Sequence, residues 1–342
     1  MLKSIDIIKF LDLSKDLKII DVRSPIEYNK GHIPNSHNIY LFSDEDRHKI
    51  GIVYKQHGKD KAILAGLDII GPKMKRIVNK IHNITVDKKA LIYCWRGGMR
   101  SNSVAWLLNL CGFDVYILSG GYKSFRNYVL QQFEITRKIN ILGGKTGSAK
   151  THIIKELNNL GHQTIDLEEL AHHKGSAFGG IAQSQQTNEQ FENLLAIELL
   201  ETSIDEVIWL EDESRVIGNV SIPNSLWNTM RESPVYFLEV STQQRIKNII
   251  KDYGNFSKEK LIESINKISK KLGGLETSNC IEYLENDDLE SACNILLRYY
   301  DKLYLYSLTK RNHKNIYTVN IENDNLTDIA KKVIDIAKLE LK

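Results

Sequence analysis

The sequence predicts two consecutive α/β units built on parallel sheets, followed by a mainly helical C-terminal region. Three observations carry this expectation. Short apolar runs alternate with segments of helical spacing. Two glycine-rich turns each lie between an apolar run and a helical pattern. The chain has 342 residues, too many for one ordinary domain. At 42% hydrophobic and 26% charged residues it can bury a real core, and five prolines exclude a low-complexity chain.

The elements follow in order. Leu17–Val22 is a short apolar run ending in Asp21 and Arg23, with a turn at Ser24-Pro25. Ala90–Tyr93 reads as a buried strand stopping at Cys94. Ser103–Leu110 has helical spacing and ends at Gly112, and Val115–Leu118 is a third strand closed by Gly120-Gly121. A helix over about Tyr122–Phe133 leads to a new start at Lys138. Ile139–Leu142, Gln163–Leu167, Glu206–Leu210 and Val235–Val240 are the strands of the second unit, with a helix over Lys150–Leu160. Beyond Gln243 the pattern is helical, apart from a strand-like piece at Ile316–Ile321. The expected boundaries are therefore 1–130, 138–242 and 243–342.

Several classes are excluded or made unnecessary. No apolar run approaches the ~18 residues of a membrane span. The order of residues at Met1–Asp6 is not that of a signal peptide. Cys94, Cys111, Cys280 and Cys293 lie far apart with no CxxC pair, so neither a disulfide framework nor a zinc site is expected, and a cytoplasmic setting is. Net charge is only +3, so nucleic-acid binding would require local patches. Two stretches offer them: Gly71–Lys89, with six Lys/Arg against one Asp, and Arg245–Lys271, with eight against three acids. A solvated helix face is the ordinary explanation of such stretches.

Chemistry concentrates first at Cys94-Trp-Arg-Gly-Gly-Met-Arg100-Ser101, where a strand gives way to a helix. Gly97 and Gly98 allow a tight turn whose N–H groups face the sulfur, the helix N-terminus adds its positive end, and Arg96 and Arg100 add charge. All three favour a thiolate and an anion bound beside it. Cys94 is the candidate nucleophile, with Arg96, Gly97, Gly98 and Arg100 as its anion-binding loop. Cys111, Cys280 and Cys293 lack such surroundings and read as structural.

The second concentration is Gly144-Lys-Thr-Gly147-Ser-Ala149-Lys150-Thr151, between a strand and a helix. Backbone N–H groups around Gly144 and Gly147 would cradle phosphate oxygens, Lys150 would neutralise them, and Thr151 is placed to touch Mg²⁺. Ala149 stands where such loops carry glycine. Its methyl resists positive φ, so an altered loop and phosphate binding without ATP turnover are expected. The acidic strand ends at Asp166-Leu-Glu168 and Glu211-Asp-Glu213 can hold a metal through water or pair with a lysine. His172–Gly180 reads as a loop shaping a pocket.

Asp21-Val-Arg-Ser-Pro-Ile-Glu27-Tyr28, Gly31-His-Ile-Pro34 and the Cys94 loop resemble rhodanese sulfurtransferase domains over about residues 1–130. The Cys-x5-Arg spacing is one residue longer than the usual sulfurtransferase loop and is that of cysteine phosphatases. It suits a tetrahedral anion. A rhodanese-like domain joined to a P-loop domain, together with Gly51–Gln56, Gly66–Lys73, Tyr93–Ser101, Gly175–Gly180, Gln190–Ala196 and Glu211–Arg215, resembles the bacterial tRNA 2-selenouridine synthases. The resemblance runs to about residue 240. It implies S-geranylation of a wobble 2-thiouridine by geranyl diphosphate, then replacement of sulfur by selenium from selenophosphate. It further implies tRNA as partner, selenophosphate supplied by a selenophosphate synthetase, and no tightly bound cofactor beyond an accompanying Mg²⁺. The competing expectation is a persulfide sulfurtransferase fused to a small-molecule kinase.

Overall fold

The computed structural model describes residues 3–181, 184–311, 315–322 and 324–340. They form two compact units, 1–132 with 192–197, and 133–191 with 198–342.

The first unit opens with β1 (Lys3–Ile5), α1 (Ile7–Leu13), β2 (Ile19–Asp21), α2 (Pro25–Lys30) and β3 (Ser36–Asn38). It continues through α3 (Asp44–Ile70), α4 (Met74–Ile84), β4 (Lys89–Tyr93), α5 (Met99–Leu110), β5 (Asp114–Leu118) and α6 (Gly121–Gln132). Its five strands pair in parallel in the order β1-β5-β4-β2-β3. Ile20, Ile92 and Ile117 from three adjacent strands share a core with Val104 and Leu108 of α5 and Ile77 and Ile81 of α4. Helices on a parallel sheet bury its apolar strands, which is why they read as near-continuous apolar runs. Strands β1 and β3 were not expected, because Lys-Ser-Ile and Ser-His-Asn carry no apolar alternation. The long helix α3 departs from helical geometry at Gly58, with φ +83°.

The second unit contains β6 (Ile139–Gly144), α7 (Lys150–Asn159), β7 (Gln163–Ile165), α8 (Leu167–Ala171), α9 (Asn188–Glu201) and β8 (Ile208–Glu211). After a small ladder of β9 (Val216–Ile217) and β10 (Val220–Ser221) come α10 (Asn224–Glu232) and β11 (Val235–Glu239). Four helices follow, α11 (Thr242–Tyr253), α12 (Lys258–Leu272), α13 (Gly274–Glu285) and α14 (Leu289–Thr309), then β12 (Ile316–Asn320) and α15 (Leu326–Glu340). The sheet is again parallel, in the order β12-β11-β6-β8-β7.

The region expected as a separate piece, 243–342, does not stand apart. Strand β12 pairs with β11 along its whole length, and Ala330, Val333 and Ile334 of α15 pack against Ile153, Ile154 and Leu157 of α7. The tail completes the second sheet and covers one of its faces.

In both units the glycine-rich turn leaves the carboxyl end of the central strand, β4 or β6. Neighbouring crossovers diverge there and leave a crevice, so an open parallel sheet places its ligands at that point.

A buried ion pair anchors the first unit. Asp21 and Arg23 are both fully buried, with Arg23 Nη2 donating to Asp21 Oδ2 at 2.6 Å and to Gly31 O at 2.7 Å. Burial opposes the guanidinium charge, but the Asp21 hydrogen bonds and charge outweigh it, and the pKa of Arg23 is raised. Removing one partner of a buried pair costs about 3–5 kcal/mol. Asp21→Asn is therefore expected to lower the urea midpoint of first-unit peptides in hydrogen-exchange mass spectrometry and to leave second-unit peptides unchanged.

Candidate functional sites

Cys94 follows β4 and is buried at the strand end, 3% exposed. Its Sγ lies 3.2 Å from Ser101 Oγ, whose hydroxyl also reaches Gly98 O at 3.0 Å. That hydroxyl can donate to either acceptor, so it can serve a charged sulfur without moving. Gly97 has φ +65°, and Gly98 caps the N-terminus of α5. A Cβ at Gly98 would meet nothing within 4 Å, so sterics do not require glycine there. They do require it at Gly121, on the facing turn. Its φ is +60°, and a Cβ would lie 2.3 Å from Cys94 O and 2.4 Å from Gly97 N. Backbone of that second turn fastens the loop, with Tyr122 N donating to Cys94 O and Lys123 N to Trp95 O.

The two loop arginines part ways. Arg100 donates to both oxygens of Glu27, at 2.7 and 3.3 Å, and Arg47 lies 3.4 Å from the same carboxylate. Burial pushes the Glu27 carboxyl up, yet the Arg100 hydrogen bond and charge prevail and lower it. Arg96 is exposed, and among the described residues no partner occupies its guanidinium. Thus Arg96 carries the loop's available side-chain charge, while Arg100 fixes the loop to α2. Beside the loop, the Arg23 guanidinium sits over the Tyr122 ring at 3.9 Å, and Trp95 packs on Tyr122 at 5.7 Å. Asn193, which belongs to this unit, donates to Tyr122 Oη and His32 O.

In the second unit the loop leaves β6 at Gly144 and enters α7 at Lys150. Ala149 adopts the left-handed conformation after all, with φ +59° and ψ +29°. The expected alteration of the loop does not occur. The strain of a non-glycine residue there, about 1–2 kcal/mol, is borne by contacts around the loop. At Gly147, with φ +83°, a Cβ would come 2.7 Å from Arg245 O. Lys150 Nζ donates to Gly144 O at 3.1 Å, folding its charge over the loop, and Thr151 Oγ1 donates to Glu168 Oε2 at 3.2 Å.

The tethers of this loop were not legible in the sequence. Arg245, only 3% exposed, forms a bidentate pair with Asp301 at 2.8 and 2.8 Å and donates to Thr146 O at 3.2 Å. Asn248 Nδ2 donates to Gly147 O at 2.8 Å. Tyr304 accepts from Gly144 N at 3.0 Å and donates to Asp212 Oδ2 at 2.7 Å. Arg245 thus leaves the basic stretch 245–271 as a buried structural residue. Lys258 and Lys267 of that stretch pair on the surface with Asp287 and Glu263.

The acidic strand ends converge on the loop. Desolvation raises the carboxyls of Glu168 and Glu211; the Glu213 charge adds to the first, and those of Glu168 and Asp166 to the second. Burial pushes Glu213 up to about 8, with Lys150 opposing. Glu211 is fully buried, and neither carboxylate oxygen has a hydrogen-bond partner.

A cavity of about 520 Å³ opens onto this loop, a size typical of small-molecule sites. One end is lined by Gly144, Gly147, Lys150 and Thr151, and the 172–180 loop contributes Lys174, Gly175 and Phe178. Glu168, Asp212, Glu213 and Asp252 add carboxylates to the lining, and its apolar part comes from Ile249 of α11, Leu261 and Ile265 of α12, Leu284 of α13, and Ala292 and Leu296 of α14. Among the described residues no three His, Cys, Asp or Glu side chains form a metal cage, and no helix is long and apolar enough to cross a membrane.

Known proteins resemble the chain over most of its length. The family description "tRNA 2-selenouridine synthase AAA domain" matches residues 137–333, and "Rhodanese-like domain" matches residues 8–128. A tRNA 2-selenouridine synthase of Pseudomonas fluorescens is 33% identical, across 90% of this chain and 93% of that protein. One of Nitrosomonas europaea is 33% identical, across 86% and 90%. A crystal structure of the N-terminal domain of a putative ATP/GTP binding protein from Clostridium difficile shares 40% identity over 37% of this chain and 99% of that one, with a TM-score of 0.35.

The acidic wall makes stability depend on pH. A carboxyl such as Glu213, raised from 4.5 to about 8, stays protonated across that window in the fold and ionises in the unfolded chain. The fold then holds more protons, so stability falls as pH rises through the window and levels off above it. Thermal unfolding of the second unit is expected at a lower temperature at pH 9 than at pH 6. Glu211→Gln should shrink that difference and raise the pH 9 value above the native one. An unchanged pH slope would show that Glu211 is not held protonated.

Proposed function

The chain belongs to the tRNA 2-selenouridine synthase family, and from that footing we propose that it converts wobble 2-thiouridine to 2-selenouridine in two half-reactions, one assigned to each site. It is a tRNA-modifying enzyme, and this takes the place of the sulfurtransferase–kinase expectation. The observation that carries the division of labour is the two-ended cavity of the second unit. It is an anion cradle at the phosphate loop and apolar along α12, α13 and α14. A nucleotide would set a polar base and ribose against those leucines and isoleucines at the cost of desolvating them. Geranyl diphosphate presents a diphosphate to one end and a hydrocarbon to the other.

In the first half-reaction the thiouridine sulfur attacks C1 of the geranyl group. The S–C bond forms, the C–O bond breaks, diphosphate leaves with the bonding pair, and the N3 proton of the base passes to water. Lys150 and the loop N–H groups stabilise the charge that develops on it, and such preorganised donors are usually the largest single contribution to catalysis. The carboxyls of Glu168 and Glu213 and the hydroxyl of Thr151, all lining the cavity beside Lys150, make an oxygen set that fits Mg²⁺, which takes one or two carboxylates plus substrate phosphate oxygens. When bound, Mg²⁺ would add charge neutralisation at the leaving group.

In the second half-reaction selenium of selenophosphate attacks C2 of the S-geranyl base. The C2–Se bond forms, and the C2–S bond breaks with geranylthiolate taking the pair. Water then cleaves P–Se to release phosphate. The Cys94 loop holds the tetrahedral phosphate, with Arg96 as its free side-chain charge and Cys94 and Ser101 beside the selenium.

Two variants separate the halves. Cys94→Ala is expected to abolish 2-selenouridine and to let S-geranylated tRNA accumulate, read by mass spectrometry of tRNA nucleosides. Full selenation by that variant would remove Cys94 from the mechanism. Lys150→Ala is expected to weaken geranyl diphosphate binding and slow geranylation by about 10²-fold or more. Selenation of tRNA already carrying the geranyl group should persist, and equal loss of both halves would refute the assignment.

A further inference from the structure

Helix α14 connects the two ends of the cavity. Tyr304 lies at its phosphate end, with Oη accepting from Gly144 N at 3.0 Å. Toward the helix N-terminus the cavity is lined in turn by Tyr300, Leu297, Cys293, Ala292 and Leu289. Tyr304, Tyr300, Leu297, Cys293 and Leu289 recur at three- and four-residue intervals along one helix face, with Ala292 beside Cys293. Between Leu289 and Thr309 the helix is unbroken.

Distances along the stripe follow from helix geometry. Tyr304 and Cys293 are eleven residues apart, about 17 Å at the α-helical rise. The main chain of an extended geranyl group spans roughly 9 Å, at ~1.25 Å advance per carbon–carbon bond. A diphosphate on the loop takes up the remainder, so the hydrocarbon ends near Cys293 and Ala292. One further isoprene unit adds ~5 Å, close to the ~5.4 Å of one helical turn, and that turn leads to Leu289. The small residues lie where a geranyl chain ends, and a leucine stands one turn beyond.

We propose that α14 is the length gauge for the isoprenoid donor, with Cys293 and Ala292 admitting the end of a two-isoprene chain and Leu289 stopping a third unit. Leu261, Ile265 and Leu284 line the same cavity and share a core cluster with Ala292, against which Leu289 packs. The inference rests on the reading that the cavity receives an isoprenoid diphosphate, and its test keeps the two apart.

The experiment uses the full chain, tRNA bearing 2-thiouridine, and dimethylallyl, geranyl and farnesyl diphosphates in parallel, with alkylated nucleosides quantified by mass spectrometry. Cys293→Phe is expected to lower the geranyl-to-dimethylallyl rate ratio about tenfold or more. Leu289→Ala is expected to raise the farnesyl-to-geranyl ratio by a similar factor, and it decides the matter where the larger side chain prevents folding. Ratios within about twofold of the native protein in the folded variants overturn the gauge. Lys150→Ala, assayed alongside, should slow all three donors. If it slows none, the reading of the cavity falls and the gauge with it.

Discussion

The bidentate pair between Arg245 and Asp301 is the contact on which the second unit's site depends. It joins α11 to α14, and the same guanidinium reaches into the phosphate loop at Thr146 O. With Asn248 at Gly147 O and Tyr304 at Gly144 N, it couples the loop backbone to α11 and α14, two of the four helices that line the cavity. Arg245 is buried and Asp301 partly so, and for such a pair desolvation offsets most of the attraction, leaving little net stability. What it supplies is geometry. Cradle and hydrocarbon wall are held at a fixed offset, as a gauge measured from the phosphate end requires.

The left-handed Ala149 becomes intelligible in the same terms. Loops of this kind ordinarily carry glycine at that position to avoid strain, yet the conformation survives a methyl group because the surroundings over-determine it. The acidic wall acts in the opposite direction. Glu168, Glu211 and Glu213 crowd one side of Lys150, and desolvation keeps protons on them. A diphosphate arriving with a divalent cation would meet a less hostile field than the bare carboxylates present.

The first unit solves a related problem with backbone alone. Its loop is clamped against the turn at Gly121, where there is no room for a Cβ, and secured to α2 through Arg100 and Glu27. Of the two arginines that flank the glycines, one is structural and one is free. Sequence spacing treats them alike, because it reports distance along the chain and not which carboxylate lies across the fold.

The sequence by itself determined the two parallel-sheet units, the strands that run into the Cys94 and Gly144 turns, and the glycine-rich turns with the helices that follow them. These features are local. Apolar runs, glycines and the helix that follows each turn lie within about ten residues of one another, and their physics is complete at that range. Tertiary structure alone decided the rest. It placed β12 and α15 in the second unit, buried Arg245, freed Arg96 and tied Arg100 to Glu27. It also assembled the apolar cavity from four helices. The pairings among these join residues about 50 or more positions apart, such as Asp301 with Arg245 or β12 with β11, and the cavity needs the packing of four successive helices. Hydrophobic attraction is non-directional, so an amphipathic pattern marks which face of α14 is buried and leaves open what that face encloses.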